Sequence, residues 1–249
     1  MTIILVTIIC LLVVLLSFTL KFSFKFQKRT YLIVFFKVKR ITNEDGTTYW
    51  YNRKGKISRT GGPAIIDSDN AKFWYLNGEL HREDGPAVEK PDGLKSWYLQ
   101  GLHHRVGKPA VERADGSKEW WLNGRLHRSG GPARENNDGS KEWWLNGLRH
   151  REDGPAIENT NGDKEWHLNG KLHRTDGPAV EYDDRKEWWL NGHIHREVNP
   201  AVEYANGTKE WYFHGKRHRE DGPAIQWSDG TGYWYVNGEF LGKNNQKQN

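Results

Sequence analysis

Hydrophobic and polar positions alternate along this chain in short stretches that return at a fixed distance. One such stretch, "KEWWLNG" at residues 118–124, returns unchanged at residues 141–147. Aromatic and aliphatic residues that alternate with polar ones predict short β-strands. The Asn-Gly and Asp-Gly dipeptides that flank them predict tight turns with positive φ at both central residues. The pattern therefore predicts β-hairpins in series.

The repeat is clearest in the tryptophans, which recur at intervals of 23, 23, 23, 23, 22, 23 and 23 residues. The unit reads K-E-W-(W/Y)-L-N-G-x-L-H-R-x-D-G-P-A-V-E-x-x-D-G, and about eight copies fill residues 49–242. Such regularity indicates an array in which each unit packs on its neighbours. The recurrent tryptophans, which we expect to form a structural ladder, are Trp74, Trp97, Trp120, Trp143, Trp166, Trp188, Trp211 and Trp234.

Two strands per unit would give every copy the same orientation. We therefore expect an all-β, elongated, single-layer antiparallel array of β-hairpins over residues 41–242, roughly 80 Å long at about 4.8 Å per strand. Because side chains alternate between faces along a strand, Trp120 and Leu122 should share one face with Val111. Glu119 and Trp121 should lie on the other face.

The residue after each ladder tryptophan is also aromatic in every copy. Exposed, contiguous aromatic surface marks interaction sites, so this second row is the candidate partner-binding face. The alternative is that the His-Arg loops fold back and cover it, since most recurrent aromatic residues pack internally. The candidate residues are Tyr75, Tyr98, Trp121, Trp144, Trp189, Tyr212 and Tyr235, with His167 at this position in one copy.

A His-Arg pair recurs seven times, with histidines at 81, 104, 127, 150, 173, 195 and 218. Histidines about 10 Å apart along an array cannot share one metal ion. A catalytic centre needs a single asymmetric set of residues, so we expect no metal site, no cofactor and no enzyme. We expect the arginines to pair with Glu135, Glu158 or Asp153 and the imidazoles to pack on tryptophans.

Charge is unevenly distributed along the chain. The whole chain carries +5, of which residues 1–40 carry +7 without any acidic residue, so the remaining residues carry −2. Nucleic-acid binding needs a basic face, which the body lacks, and we expect no nucleic-acid partner. The single cysteine, Cys10, excludes a disulfide framework and a cysteine-based zinc site in the body.

The first 20 residues carry no charge, which is enough apolar length for one transmembrane helix. A cleaved signal peptide is the alternative, but no Lys or Arg precedes the apolar run and no small-x-small cleavage site follows it. The basic residues that follow favour a single-pass anchor at 1–20 with a cytosolic repeat domain. In the basic juxtamembrane segment 21–40, the candidates for membrane contact are Lys21, Lys25, Lys28 and Arg29.

Two shorter segments complete the organisation of the chain. "YLIVFF" at residues 31–36 is too short to span a membrane and is either a first β-strand or an interfacial segment. Residues 243–249, "KNNQKQN", form a polar tail that could discourage end-to-end strand pairing.

The unit resembles the MORN (membrane occupation and recognition nexus) repeat in its leading aromatic residue, its Asn-Gly turn and its closing Asp-Gly. "EWYFHGKRHREDGPAI" at 210–225 and "EYANG" at 203–207 carry the likeness, which covers about 195 of the 249 residues. The H-R-x-x-G-P-A core stands where that family has Gly-x-Gly. In this respect the chain is similar to the divergent MORN-like proteins of large DNA viruses of amoebae. The resemblance implies a β-hairpin scaffold with protein partners, sometimes with membrane lipid, and no catalytic residue.

Together these features favour a membrane-anchored, non-enzymatic scaffold that binds protein partners along one face of its sheet. The alternative is a peripheral module whose repeats themselves bind anionic membrane lipid. The near-neutral body argues against that alternative, because contact with anionic headgroups needs an excess of Lys and Arg.

Overall fold

The computed structural model describes residues 22–26, 29–33 and 39–244, with side chains described from residue 39 to residue 243. The secondary structure in these ranges consists of strands, turns and loops. None of the described residues belongs to a helix long and apolar enough to cross a membrane. The helix predicted at 1–20 lies outside the described residues.

The strands are short, and most contain two residues. The first are β1 Phe22–Phe26, β2 Arg29–Ile33, β3 Lys39–Thr42, β4 Thr48–Tyr51, β5 Ile65–Ile66, β6 Lys72–Phe73, β7 Tyr75–Leu76, β8 Glu79–Leu80, β9 Val88–Glu89, β10 Lys95–Ser96, β11 Tyr98–Leu99 and β12 Leu102–His103. The central ones are β13 Val111–Glu112, β14 Lys118–Glu119, β15 Trp121–Leu122, β16 Arg125–Leu126, β17 Arg134–Glu135, β18 Lys141–Glu142, β19 Trp144–Leu145, β20 Leu148–Arg149, β21 Ile157–Glu158, β22 Lys164–Glu165, β23 His167–Leu168 and β24 Lys171–Leu172. The last are β25 Val180–Glu181, β26 Arg185–Glu187, β27 Trp189–Leu190, β28 His193–Ile194, β29 Val202–Tyr204, β30 Lys209–Glu210, β31 Tyr212–Phe213, β32 Lys216–Arg217, β33 Ile225–Gln226, β34 Gly232–Val236 and β35 Glu239–Asn244.

Nineteen of these strands form one long antiparallel sheet, here called the central sheet. Its strands pair in the order β3-β4-β5-β6-β9-β10-β13-β14-β17-β18-β21-β22-β25-β26-β29-β30-β33-β34-β35. Over the range 39–244 no pairing joins β3 to β35, so the sheet is open. β1 and β2 pair only with each other among the described strands. The prediction of an all-β antiparallel hairpin sheet is confirmed.

Each copy also carries a second small hairpin, which the two-strand prediction missed. In one copy β15 and β16 pair with each other and not with the central sheet. The chain leaves the central sheet at the ladder tryptophan. The Trp120 amide donates to the Ala133 carbonyl at 2.8 Å, while the Trp120 carbonyl accepts from the His127 amide at 3.0 Å. A copy therefore contains two central strands and one outer hairpin. The outer hairpins are β7–β8, β11–β12, β15–β16, β19–β20, β23–β24, β27–β28 and β31–β32.

The two kinds of turn use different backbone conformations. At the Asn-Gly turns both residues have positive φ, as predicted, for example 53° at Asn146 and 83° at Gly147. At the Asp-Gly turns only the glycine does, with 91° at Gly139, which corrects the prediction. Asp138 keeps a negative φ because its carboxylate accepts the Ser140 amide at 2.8 Å. This is a three-residue loop that closes with a left-handed glycine.

The one 22-residue interval, from Trp166 to Trp188, is one residue shorter than the others, and the missing residue falls in a turn. Between β25 and β26 the chain reverses through Asp183 and Asp184 alone. The Tyr182 amide donates to the Arg185 carbonyl at 2.9 Å, and the reverse bond measures 3.3 Å. Because the deletion falls at the tip of the hairpin, the strands on either side keep their register with the neighbouring copies.

The register of the central sheet corrects one predicted face. Val111 lies directly opposite Glu119, and directly opposite residues share a face of the sheet. The Glu119 carboxylate accepts the Trp121 indole N–H at 2.8 Å. Val111 therefore lies on the face of Trp121, and not on that of Trp120 as predicted. The prediction that Glu119 and Trp121 share a face is confirmed.

The interior of the array is very thin. No larger side chain among residues 39–243 is fully buried, whereas the alanine of each Pro-Ala dipeptide is 0 % exposed. Each of these alanine carbonyls accepts the amide of the ladder tryptophan of its own copy, or of Trp50 in the first copy, at 2.8–2.9 Å. A small residue is needed here because the alanine lies between the central strands of successive copies. The buried alanines are Ala64, Ala87, Ala110, Ala133, Ala156, Ala179, Ala201 and Ala224.

The ladder tryptophans are covered by arginines, here called clamp arginines. In one copy the Arg151 guanidinium lies 4.0 Å from the ring centroid of Trp143. It also donates to the Pro155 carbonyl at 3.1 Å and to the Glu158 carboxylate at 2.7 Å, which belong to the second central strand of the copy and the loop before it. The same stacking, at 3.7–4.2 Å, recurs for Arg59, Arg82, Arg105, Arg128, Arg151, Arg174, Arg196 and Arg219.

These contacts confirm the predicted pairing of Arg128 with Glu135 at 2.7 Å and of Arg151 with Glu158 and Asp153 at 2.7 and 2.9 Å. They also correct the predicted contact between imidazole and tryptophan, because the guanidinium covers the ring. Trp50, in the degenerate first copy, is clamped as well, by Arg59. At Trp234, in the last copy, Gly242 stands at the position of the clamp arginine.

We expect Arg151→Lys to lower the free energy of unfolding by about 1–2 kcal/mol. A lysine cannot lie flat on Trp143 while it also bonds to both Pro155 and Glu158. The matched control is Arg125→Lys at an exposed arginine that makes no ion pair among the described side chains. Urea unfolding followed by tryptophan fluorescence checks this, and equal losses in the two variants would contradict the role of the clamp.

Candidate functional site

The second aromatic row lies on one face of the array, here called the aromatic face. All seven candidates are half-buried, and His167, in the remaining copy, is buried. The row is regular because every one of these residues except Tyr235 begins the first strand of an outer hairpin. These half-buried candidates are Tyr75, Tyr98, Trp121, Trp144, Trp189, Tyr212 and Tyr235.

The ring faces of this row are flanked by the second strands of the outer hairpins. His103 lies 4.0 Å from the ring centroid of Tyr98 and 5.3 Å from that of Trp121. Arg149 lies 5.2 Å from the ring centroid of Trp144. Burial lowers the pKa of His103, which favours the neutral form of its ring. The row is therefore a stack in which aromatic rings alternate with other side chains.

A row of glutamates runs beside the aromatic rings and was not predicted as part of the site. Each accepts a hydrogen bond from the polar atom of the ring two residues later, as Glu142 does from the Trp144 indole N–H at 3.0 Å. The sequence signal was the K-E-W-W string itself, since residues two apart in a strand share a face. The five pairs are Glu119–Trp121, Glu142–Trp144, Glu165–His167, Glu187–Trp189 and Glu210–Tyr212.

Arginines pair with these carboxylates, of which Glu119 is buried and the others are half-buried. Glu119 receives Arg113 at 3.0 Å, and Glu142 receives Arg134 at 2.9 Å. The position of Arg134 is occupied by Val or Ile in the other described copies, so Arg134 is the one charged residue at this position. At the far end of the row Glu210 pairs with Arg217 at 3.2 Å. Each of these three carboxylates is therefore paired with an arginine, and the aromatic face carries no unpaired negative charge at these positions.

One copy differs from the others and forms an asymmetric cluster. His167 Nε2 lies 2.7 Å from Glu165, and the Tyr182 hydroxyl donates to the other oxygen of the same carboxylate. His167 Nδ1 is buried without a hydrogen-bond partner in the described part of the chain. Burial and the bond to Glu165 raise the pKa of Tyr182. The signal in the sequence was the histidine at a position that is otherwise Trp or Tyr.

One carboxylate and a further tyrosine have shifted proton affinities on this face. The hydrogen bond from His167 holds the pKa of Glu165 below its usual value, and the bond from Tyr182 and the nearby Arg149 act in the same direction. Burial, together with the hydrogen bond to Glu210, raises the pKa of Tyr212 to about 12. At neutral pH the first shift favours an ionised Glu165, which accepts hydrogen bonds, and the second favours a protonated Tyr212, which donates one.

A notch opens on the aromatic face between two adjacent outer hairpins. Its walls are Trp121 and Trp144, and Leu126 lies between them. Leu148, which is 49 % exposed, and Arg125 form its rim. The adjacent copies carry His103 and Arg149 at the position of Leu126, which is itself buried. Within the described range, this Arg125 makes no ion pair.

The other predicted sites have simpler outcomes. No group of residues that could hold a metal ion occurs in the described part of the chain. The side chains of Lys21, Lys25, Lys28 and Arg29 lie outside those described, so membrane contact through them stays a prediction. β2 contains the first residues of the "YLIVFF" segment, and β35 extends two residues into the predicted tail.

No family model and no curated protein matches the chain.

We expect Glu165→Gln to destabilise the protein at pH 5.5, with a difference from the wild type that shrinks as the pH falls. The pKa of Glu165 is depressed in the folded state, so its contribution is present above the unfolded value of about 4.5 and is lost on acidification below it. Urea midpoints measured from about pH 5.5 to about pH 3 check this. Glu44→Gln, at an exposed side chain without an ion pair among the described residues, should give no such trend.

Proposed function

We propose that this chain is a MORN-like, non-enzymatic scaffold that binds protein partners along its aromatic face. Its 1–20 segment would hold it to a membrane, with the repeats in the cytosol. The observation that carries the proposal is the notch between Trp121 and Trp144. Aromatic and Arg residues that can be desolvated are the usual anchors of protein interfaces.

The notch also indicates the chemistry of the partner. Trp121, Trp144 and Leu126 offer an apolar cleft, and both indoles are held in place by bonds to glutamates. Preorganised walls reduce the entropy lost on binding. Arg125 at the rim lacks an ion pair within the described chain. A partner segment with an apolar side chain next to a carboxylate fits both features.

The opposite face supports protein binding over lipid binding. There, lysines and glutamates of the central strands alternate, so that Lys118 lies opposite Glu112 on one side and Glu135 on the other. We call this row the Lys–Glu ladder. Each lysine of the ladder except Lys209, which faces Gln226 on one side, lies between two glutamates. These glutamates also bind clamp arginines, but residues 41–249 carry a net charge of −2, which leaves no net positive charge for anionic headgroups. The ladder comprises Glu89, Lys95, Glu112, Lys118, Glu135, Lys141, Glu158, Lys164, Glu181, Lys186, Glu203 and Lys209.

The repetition of the site favours a binding function over catalysis. Five copies carry the same pair of a glutamate and an aromatic or imidazole ring, whereas a catalytic centre needs one set of groups with distinct roles. The cluster around Glu165 and His167 is asymmetric, but both carboxylate oxygens are already engaged. It is better explained as internal packing.

A selection from a random peptide library on the full chain tests the notch. We expect enriched peptides to share an apolar residue next to Asp or Glu. Their affinity, measured by fluorescence anisotropy, should fall about tenfold or more in Arg125→Glu, which reverses the rim charge, and in Leu126→Trp, which fills the notch. Lys216→Glu, at the equivalent rim position of a distant copy, is the control. Equal losses in Lys216→Glu would argue against this site.

Vesicle flotation of residues 41–249 tests the lipid alternative. We expect the fragment to remain at the bottom of the gradient with neutral and with anionic vesicles, because residues 41–249 carry a net charge of −2. Flotation with anionic vesicles that is lost at high salt would favour lipid binding by the repeats.

A further inference from the structure

The seven histidines of the His-Arg pairs link each copy to the next. His127 Nδ1 accepts the backbone amide of Asn146, the first residue of the following Asn-Gly turn, at 3.1 Å. In a two-residue turn this amide has no partner in its own hairpin. The same bond, at 3.1–3.2 Å, joins His81 to Gln100, His104 to Asn123, His150 to Asn169, His173 to Asn191, His195 to His214 and His218 to Asn237.

These bonds require neutral imidazoles. A backbone N–H can only donate, so the ring nitrogen facing it must have a free lone pair. A protonated imidazole carries hydrogen on both nitrogens, and its Nδ1–H would then point at the Asn146 N–H. Because the bonded array needs the neutral ring, these contacts are present at neutral pH and are lost as the pH falls.

Two other sets of turns in the same molecule lack this sensitivity. In the first copy Ser58 replaces the histidine, and its hydroxyl accepts the Asn77 amide at 3.1 Å. At the Asp-Gly turns of the central sheet, the backbone amide has no imidazole partner but donates to a carboxylate, as the Ser140 amide does to Asp138 at 2.8 Å. Hydrogen bonds from Ser140 hold the pKa of Asp138 below its usual value. Both acceptors therefore keep their bonds at pH values where an imidazole is protonated.

The groups around the histidines differ between copies. Nε2 faces a glutamate at 3.6–3.9 Å in three copies, and these pairs are His81–Glu83, His150–Glu152 and His218–Glu220. In a fourth, His195 stacks on His214 at 4.5 Å, with Glu197 nearby; burial, followed by His214, lowers the pKa of His195. His127 and His173 are followed by Arg128-Ser129 and Arg174-Thr175 instead, without a carboxylate two residues on.

The copy with His104 is an exception. The side-chain oxygen of Asn123 also lies 2.8 Å from His104 Nδ1. That oxygen can accept a hydrogen bond from the protonated ring. On acidification the His104 ring therefore gains the Asn123 side-chain oxygen as a hydrogen-bond acceptor. For this reason His104 does not belong with the six acid-sensitive histidines.

We propose that the six other histidines make the outer hairpins a pH-sensitive part of the array, which loosens on acidification while the central sheet stays paired. Each turn keeps one backbone link to the preceding copy, such as the Gly147 amide to the Leu126 carbonyl at 2.9 Å. The Arg128 amide also donates to the Trp144 carbonyl at 3.1 Å, so acid releases one of three bonds that join this hairpin to the preceding copy. Because the aromatic residues lie in these same hairpins, the aromatic face loosens with them.

Residue-resolved hydrogen exchange of the purified full chain in a non-ionic detergent tests this. Protection, corrected for the intrinsic exchange rate at each pH, is compared between about pH 7.5 and about pH 5. We expect the Asn146, Asn169 and Asn237 amides to lose about tenfold or more of their protection. The Asn77 and Ser140 amides, as internal controls, should change less than about twofold.

His127→Ser places the natural acceptor of the first copy into a central copy. We expect the Asn146 amide to become as insensitive to pH as Asn77, while Asn169, which bonds to the unchanged His150, keeps its sensitivity. The proposal is wrong if Asn146 in the wild type loses no more protection than Asn77, and this comparison decides even if the variant does not fold. It is also wrong if the variant folds and Asn146 remains as sensitive to acid as in the wild type.

Discussion

The stacking of an arginine on a tryptophan holds the array together, because the same arginine also bonds to two further strands. The Arg151 guanidinium covers Trp143 and reaches Pro155 and Glu158 in the second half of the copy, while its backbone amide donates to the His167 carbonyl of the following copy at 3.0 Å. A sheet without a second layer cannot bury large side chains fully, and its fully buried residues are alanines. A flat cation supplies the missing cover, since it can lie on an aromatic ring and still bond at its edge.

The two faces of the sheet follow from the register that these contacts hold. On one face lysines and glutamates alternate between neighbouring strands, and the same glutamates also bind the clamp arginines. On the other face valines alternate with glutamates whose carboxylates are bonded to ring N–H or O–H groups. Partly buried ion pairs add little net stability, but an unpaired charge would be costly. The arginines of this face therefore act mainly to keep one register and to exclude others.

A proposed partner site arises where adjacent copies differ. The two flanking copies replace the consensus leucine by His103 and Arg149, whereas Leu126 keeps it and lines the notch with the two tryptophans. In the same way Ser58, in place of a histidine, shows what the histidines do in the other copies. Variation between copies is thus more informative about function than the consensus.

The repeat, the hairpin turns at Asn-Gly and the pairing of Arg128 and Arg151 with nearby carboxylates all follow from the amino-acid sequence alone. These features are local, because they depend on residues within one unit and on the φ angles that Asn and Gly tolerate. The spacing of Glu119 and Trp121 likewise places both on one face, since residues two apart in a strand point the same way.

The face that carries Val111, the break of the strand at Trp120 and the contacts of the histidines come from the folded array instead. Each of these depends on the register between strands from different parts of the unit or from different copies, and a shift of one residue would exchange the faces. The sequence pattern suggested that an imidazole covers each ladder tryptophan. The fold gives that contact to the guanidinium, because the imidazole is held by the turn of the next copy.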